Sequence, residues 1–378
     1  MTDVAREPLR VPGRARTVVA KVGSSSVTDS EAGGVDRGAV ERLCEQISRL
    51  RGDGHRVVLV TSGAVAAGWS ALGARNKPPD MATLQAVSAV GQHRLMRVYD
   101  DAFARFGITV GQVLLAPLDF VHRQQYLHAR RTLGRLLELE VVPIVNENDA
   151  TSEDEIRFGD NDRLAALVAH LVSADLLVML TDAPGLLTAD PRTGAEASLI
   201  EEVLEVDHSL EALAAGPGTD VGSGGMASKL AAAKIASWSG VETVIAQAAR
   251  PDVLSDAVNG EGKVGTVFRA HSRRLSARKL WIAFAVGPSG TLVVDDGARR
   301  ALLERDASLL PAGVVSVSGR FGPEAAVEIT GEDRVVFAKG LVRHGAELIR
   351  SWAGRRSEQL PENAAHEVVH RDDLVLLA

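Results

Sequence analysis

Six short apolar runs, each closing on small or polar residues, limit this chain to a fold built on a mainly parallel sheet. They are Thr17–Val22, Arg56–Thr61, Val110–Leu115, Val141–Val145, Ala174–Thr181 and Val241–Ala246. Short apolar runs bounded by turn formers read as strands. Between them Val35 to Leu50, Met81 to Phe106 and Gln124 to Leu139 carry apolar residues at helical spacing. Strand, helix, strand implies right-handed crossovers and an α/β sheet. In open sheets of this type ligands bind beyond the carboxyl ends of the strands. Lys21, Ser62 and Asn146 to Asp149 all fall at such ends.

The polar residues at those ends have chemistry to offer. Asn146-Glu147-Asn148-Asp149 follows a strand, and Gly159-Asp160-Asn161-Asp162 opens a helix. Asn supplies donors and acceptors and Asp supplies charge, a set able to hold a zwitterion. Turn and N-cap chemistry accounts for the same residue types. Lys21 leads into Gly23-Ser24-Ser25-Ser26, where exposed amides can cradle phosphate oxygens. A lysine inside an apolar strand needs a partner for its ammonium. The spacing of a Walker loop is absent. Gly222-Ser223-Gly224-Gly225-Met226-Ala227-Ser228-Lys229 precedes a strong helix former, presenting amides and a cation to an anion. A flexible loop with a solvated lysine is the competing reading. Thr181-Asp182 ends another strand and reads equally as a terminating turn.

A formal net charge of −7 argues against general nucleic-acid binding. The single cysteine, Cys44, excludes an intramolecular disulfide framework and reads as a buried thiol. No apolar run reaches membrane-spanning length, and residues 1–15 read as a polar, disordered tail on a cytoplasmic protein. Residues 16–268 are expected to form the sheet domain and 269–286 a basic linker. Residues 287–378 change to short alternating strands with glycine turns and one helix near Ala298 to Glu304, a small β-rich barrel.

Taken together, Lys21 to Ser25, Val60 to Ala64, Val145 to Ala150, Gly159 to Asp162, Leu180 to Asp182, Gly222 to Lys229 and Asp295 to Ala298 resemble the glutamate 5-kinases. These are amino acid kinase family enzymes with a C-terminal PUA domain. The resemblance implies a three-layer sandwich around the mainly parallel sheet, followed by a small β-barrel-like PUA domain. It implies ATP-dependent phosphorylation of the γ-carboxylate of L-glutamate, the first step of proline biosynthesis, with Mg²⁺ and with inhibition by proline. Lys21 and Lys229 match the lysines flanking the transferred group, and Asp162 the aspartate orienting them. Ser62, Asp149 and Asn161, with Asn146 close by, match glutamate-binding positions. Lys21, Gly23, Ser24, Thr181, Asp182, Ser223, Gly224, Gly225, Met226, Ala227, Ser228 and Lys229 match ATP-binding positions. Ser223 replaces the family's Thr and keeps the hydroxyl. A homo-oligomer, dimer or tetramer, and hand-off to glutamyl phosphate reductase also follow from the resemblance. RNA binding through the PUA domain is a second reading. Residues 285–378 hold 11 Lys and Arg against 14 Asp and Glu, a net of −3 that disfavours it. No general base is required by such chemistry, because a carboxylate is already an anionic nucleophile.

Overall fold

A computed structural model describes residues 15–29, 33–73, 80–116, 118–151, 161–189, 196–215, 225–260, 264–272, 274–360 and 366–377. Most of the N-terminal stretch read as a tail, residues 1–14, lies outside them, as do Asp160, Ser223 and Gly224. The described residues divide into two compact units, 1–274 and 275–378.

In the first unit the strands are β1 (Thr17–Val22), β2 (Arg56–Val60), β3 (Val110–Leu115), β4 (Val142–Glu147), β5 (Leu176–Thr181), β6 (Glu202–Val203), β7 (Glu242–Gln247) and β8 (Thr266–Phe268). The helices are α1 (Ser24–Val27), α2 (Arg37–Gly52), α3 (Ala64–Ala71), α4 (Met81–Ala104), α5 (Leu118–Val121), α6 (Arg123–Glu138), α7 (Asn161–Leu171), α8 (His208–Ala215), α9 (Met226–Trp238) and α10 (Val253–Asn259). The sheet order is β3-β4-β2-β1-β5-β7-β8-β6, parallel except where β8 runs against β7. The expected parallel sheet is therefore present. Its strand series does not close at β7, however. Thr266 and Phe268, inside the 16–268 span but in none of the runs read as strands, are fully buried in β8, and Gly265 lets the two backbones approach. A Cβ there would stand 2.1 Å from the Ile245 carbonyl oxygen.

Alternate residues of a strand face opposite sides, and that rule fixes the layers. Val18, Ala20 and Val22 of β1 join a core with Leu43 and Ile47 of α2, Leu95 and Tyr99 of α4, and Leu254 of α10. Val19 and Lys21 must then face the other side, where α7 packs against β1 and α9. Helices on both faces make three layers. Cys44 sits within the first core, and burial pushes its thiol up, away from the reactive thiolate.

α3 and α4 meet backbone to backbone. A Cβ on Gly68 would stand 1.9 Å from the Val87 carbonyl oxygen, and one on Gly91 1.7 Å from that of Ala64. Only glycine permits this approach. Gly63, at φ +103°, provides the left-handed residue that turns β2 into α3.

The second unit contains α11 (Ala277–Leu280), a π-helical turn (Trp281–Ala285), β9 (Gly290–Val294), α12 (Asp296–Arg305), β10 (Val314–Gly319), β11 (Ala326–Thr330), β12 (Val336–Val342), α13 (Ala346–Trp352) and β13 (Val369–Leu376). The sheet order is β10-β9-β11-β12-β13, antiparallel apart from the β9/β11 pair. α12 starts where Asp295 accepts from the Ala298 N–H at 2.7 Å, an ordinary N-cap. α13 is a second helix that the strand-like reading of this region omitted. Within the stretch expected as a linker, residues 277–285 are helical. Ile282 and Ala283 are buried with Ala326, Leu341 and Val375 of this unit.

Candidate functional site

At the carboxyl end of β1, on the face covered by α7 and α9, two lysines converge on one carboxylate. Asp162 is wholly buried in the first turn of α7, while Lys21 and Lys229 are 4% and 6% exposed. Lys21 Nζ pairs with Asp162 Oδ1 and Lys229 Nζ with Oδ2 at 3.0 Å. Ser228 adds a hydroxyl that donates to the same Oδ2 at 3.0 Å. Burial alone would raise the Asp162 carboxyl, but the Lys21 and Lys229 ammonium groups outweigh it and hold the group below its ordinary value. Three residues from three distant parts of the sequence thus form one charged centre.

Gly23 and Ser24 follow Lys21 directly, and a Cβ at Gly23 would lie 3.6 Å from Lys21 Nζ. Gly225 precedes α9 as its N-cap, and Met226, Ala227, Ser228 and Lys229 are its first residues. Thr181 and Asp182 follow Leu180, which pairs with Val22 of β1. The Thr181 hydroxyl donates to Asp182 Oδ1 at 2.9 Å. These positions share the strand-end side of the sheet with the charged centre. The donor set fits a polyphosphate: two ammonium groups and the free N–H groups of the first turn after Gly225 lie at this end, and Asp162 is already occupied by the lysines. Mg²⁺ with such a ligand would ride on its phosphate oxygens.

The expected glutamate positions form a neighbouring hydrogen-bond network. Asn161 Nδ2 lies 2.9 Å from Thr61 O, 2.7 Å from Ser62 Oγ and 2.9 Å from Asn146 Oδ1. The Glu147 main-chain N–H donates to Asn146 Oδ1 at 2.9 Å, and Asn146 Nδ2 donates to Gln92 Oε1 at 2.8 Å. Ser62, Asn146 and Asn161 are therefore brought together, and Asn161 ties the ends of β2 and β4. Asp149 stands apart from that knot, accepting from Ser88 Oγ at 3.2 Å. Thr61 Oγ1 and Tyr99 OH share a buried hydrogen bond of 2.7 Å behind the network.

Ser88, Gln92 and Tyr99 are the participants that motif reading missed. Their signal was in the sequence: with Leu95 they fall on one face of α4, where an amphipathic helix should present apolar side chains. Polar residues on a buried stripe require partners, and here the partners belong to the site.

A model of the amino acid kinase family matches residues 16–247, and one of the PUA domain matches residues 290–362. A glutamate 5-kinase of Pelobacter propionicus is 44% identical over 366 residues, 96% of this chain and 98% of that protein. One of Mycobacterium avium is 46% identical over 362 residues, 96% and 97% of the two chains. The solved carbamate kinase from Giardia lamblia bound to AMP-PNP superposes with a TM-score of 0.50 at 18% identity. It covers 68% of this chain and 99% of its own, a likeness of fold. With a family model over most of the first unit and relatives of this identity along nearly the whole chain, the protein belongs to the amino acid kinase family, among its glutamate 5-kinases.

Proposed function

We infer that the chain transfers the γ-phosphoryl group of MgATP to the γ-carboxylate of L-glutamate, giving L-glutamyl 5-phosphate. The observation that carries this reading is the pair of buried lysines sharing Asp162 at the end of β1. A carboxylate oxygen attacks phosphorus while the bond to the ADP oxygen breaks and ADP leaves with the electron pair. No proton need move. The reaction requires alignment and neutralisation of negative charge. Lys21 and Lys229 supply that charge, and Asp162 with Ser228 fixes the direction in which they point. Mg²⁺ on the nucleotide phosphates supplies further neutralisation. Ser62, Asn146, Asp149 and Asn161 hold glutamate, and Gly23, Ser24, Thr181, Asp182 and Ser223 to Lys229 hold the nucleotide.

The reading extends to inhibition by proline, to a homo-oligomer, to action in the cytoplasm, and to hand-off of the water-labile acyl phosphate to a reductase. Among the described residues no helix is long and apolar enough to cross a membrane. The region matching the PUA domain serves assembly or regulation in this reading, because its net charge of −3 over residues 285–378 suits a phosphate backbone poorly. Trapping with hydroxylamine tests the central claim. ATP consumption must be matched by a hydroxamate that appears with glutamate and exceeds that with aspartate or acetylglutamate; no glutamate-dependent hydroxamate sinks the reading.

A further inference from the structure

The buried amide of Gln92 carries a donor that the fold itself leaves unused. Gln92 is 7% exposed on α4, and its Nε2 has no hydrogen-bond partner among the described residues. Its orientation is set by a relay. Asn146 Oδ1 accepts from the Glu147 N–H and from Asn161 Nδ2, both at 2.9 Å, so Asn146 Nδ2 must point the other way. There it donates to Gln92 Oε1 at 2.8 Å, which turns Gln92 Nε2 away from Asn146. A flipped Gln92 would set donor against donor. Buried donors in native structures have partners, so this one calls for a ligand.

The same side chain lines a cavity of ≈ 270 Å³ with Ser88, Gln112, Glu147 and Asp149. Gln92, its amide orientation set by Asn146, and Asp149, with its carboxylate, thus border one space. That pair matches the two charged substituents on the α-carbon of an amino acid: ammonium to Asp149, carboxylate to Gln92. The relay passes from Gln92 through Asn146 to Asn161, the residue before Asp162, so two side chains stand in the hydrogen-bond chain between this amide and the residue that the lysines share. Resting on the glutamate-kinase reading, we propose that Gln92 Nε2 donates to the α-carboxylate of bound glutamate and selects substrates that retain it.

Gln92→Glu isolates this donor, because the new carboxylate still accepts from Asn146 while placing an oxygen where Nε2 stood. The KM for glutamate should rise about 10- to 100-fold, the loss of one hydrogen bond to a charged group. The KM for ATP should stay within about twofold. L-isoglutamine, whose α-carboxylate is a carboxamide, adds a readout that a purely structural role would not move. Its carboxamide N–H complements the new oxygen, so the wild-type preference for glutamate over this competitor should shrink by at least about tenfold. Gln92→Met serves if the first variant does not fold, and should raise the glutamate KM alone in the same way. A folded variant with a wild-type glutamate KM and unchanged preference overturns the proposal while the kinase reading stands. Wild-type protein that forms no glutamate-dependent hydroxamate removes both.

Discussion

Lys229 and Lys339 are each 6% exposed, yet their ammonium groups meet different chemistry. Lys229 faces the Asp162 carboxylate, which also receives Lys21. Lys339, in β12 of the second unit, donates to the Ala283 carbonyl at 3.3 Å and to that of Val286. Those carbonyls close the π-helical turn, where the backbone carries partial negative charge and a cation is a natural cap. Lys339 serves the architecture of its unit. Lys21 and Lys229 instead place two cations on one anion at a strand end, an arrangement suited to a passing anion. Burial of a lysine is therefore not the mark of this site; the shared carboxylate is.

Removing that carboxylate is the severest way to break the contrast. Asp162→Ala leaves two ammonium groups buried against each other and should cost about 3–5 kcal/mol of stability by denaturant unfolding. A loss below about 1 kcal/mol would mean the lysines do not depend on it. The pH dependence has a definite sign, because the folded carboxyl titrates below its ordinary value. Its contribution is fully present above the unfolded value near ~4 and disappears as pH falls through the lower folded value. Lys229→Ala should lower turnover by roughly 10²–10³-fold, the loss typical of one transition-state donor. Near-normal turnover in a folded variant would place it with Lys339.

The second unit supplies the opposite test. Lys339→Met should cost ~1–3 kcal/mol, since it strips the carbonyls of their donor. Hydroxamate turnover should remain within about twofold. A collapse of turnover comparable to that of Lys229→Ala would end the distinction. His170, on α7, sharpens it from a third side. Burial, with Arg130 and Arg274 nearby, lowers its imidazole to about 4, so the folded protein holds it neutral near pH 7. The unfolded chain takes the proton first, near ~6.5, so stability falls as pH drops from there toward about 4. His170→Gln should flatten that part of the melting-temperature profile by an amount equivalent to ~1 kcal/mol after allowing for solvent screening. An unchanged acid slope would assign it to other groups.

The sheet was legible because each of its longer strands is a continuous apolar run, the pattern of strands buried on both faces. β6 and β8 were not, since two and three residues carry no periodicity. The lysine in an apolar strand drew notice at Lys21, where the next residues are Gly and Ser. The same rule applied to Val336–Val342 would have marked Lys339 as well, and mistakenly. A burial argument detects the need for a partner without saying which partner answers it. Asn161 shows the other limit. Its residue type suggested a ligand contact, but nothing in the sequence showed that its Nδ2 also ties Thr61 and Ser62, just past β2, to Asn146 of β4. Gln92 was hidden because its role depends on Asn146, more than fifty positions away and visible only after folding.

The glycine contact between α3 and α4 limits how this pocket can change. Where Gly68 and Gly91 leave only main chain between the helices, no side chain remains to be exchanged for a smaller or larger one. Ser88 and Gln92 project from the segment of α4 that this contact holds in place. The wall of the cavity is accordingly a fixed boundary, and the helix cannot be shifted by degrees to admit a longer substrate. Any widening or narrowing of specificity must come from replacing the groups that stand on that boundary, one side chain at a time.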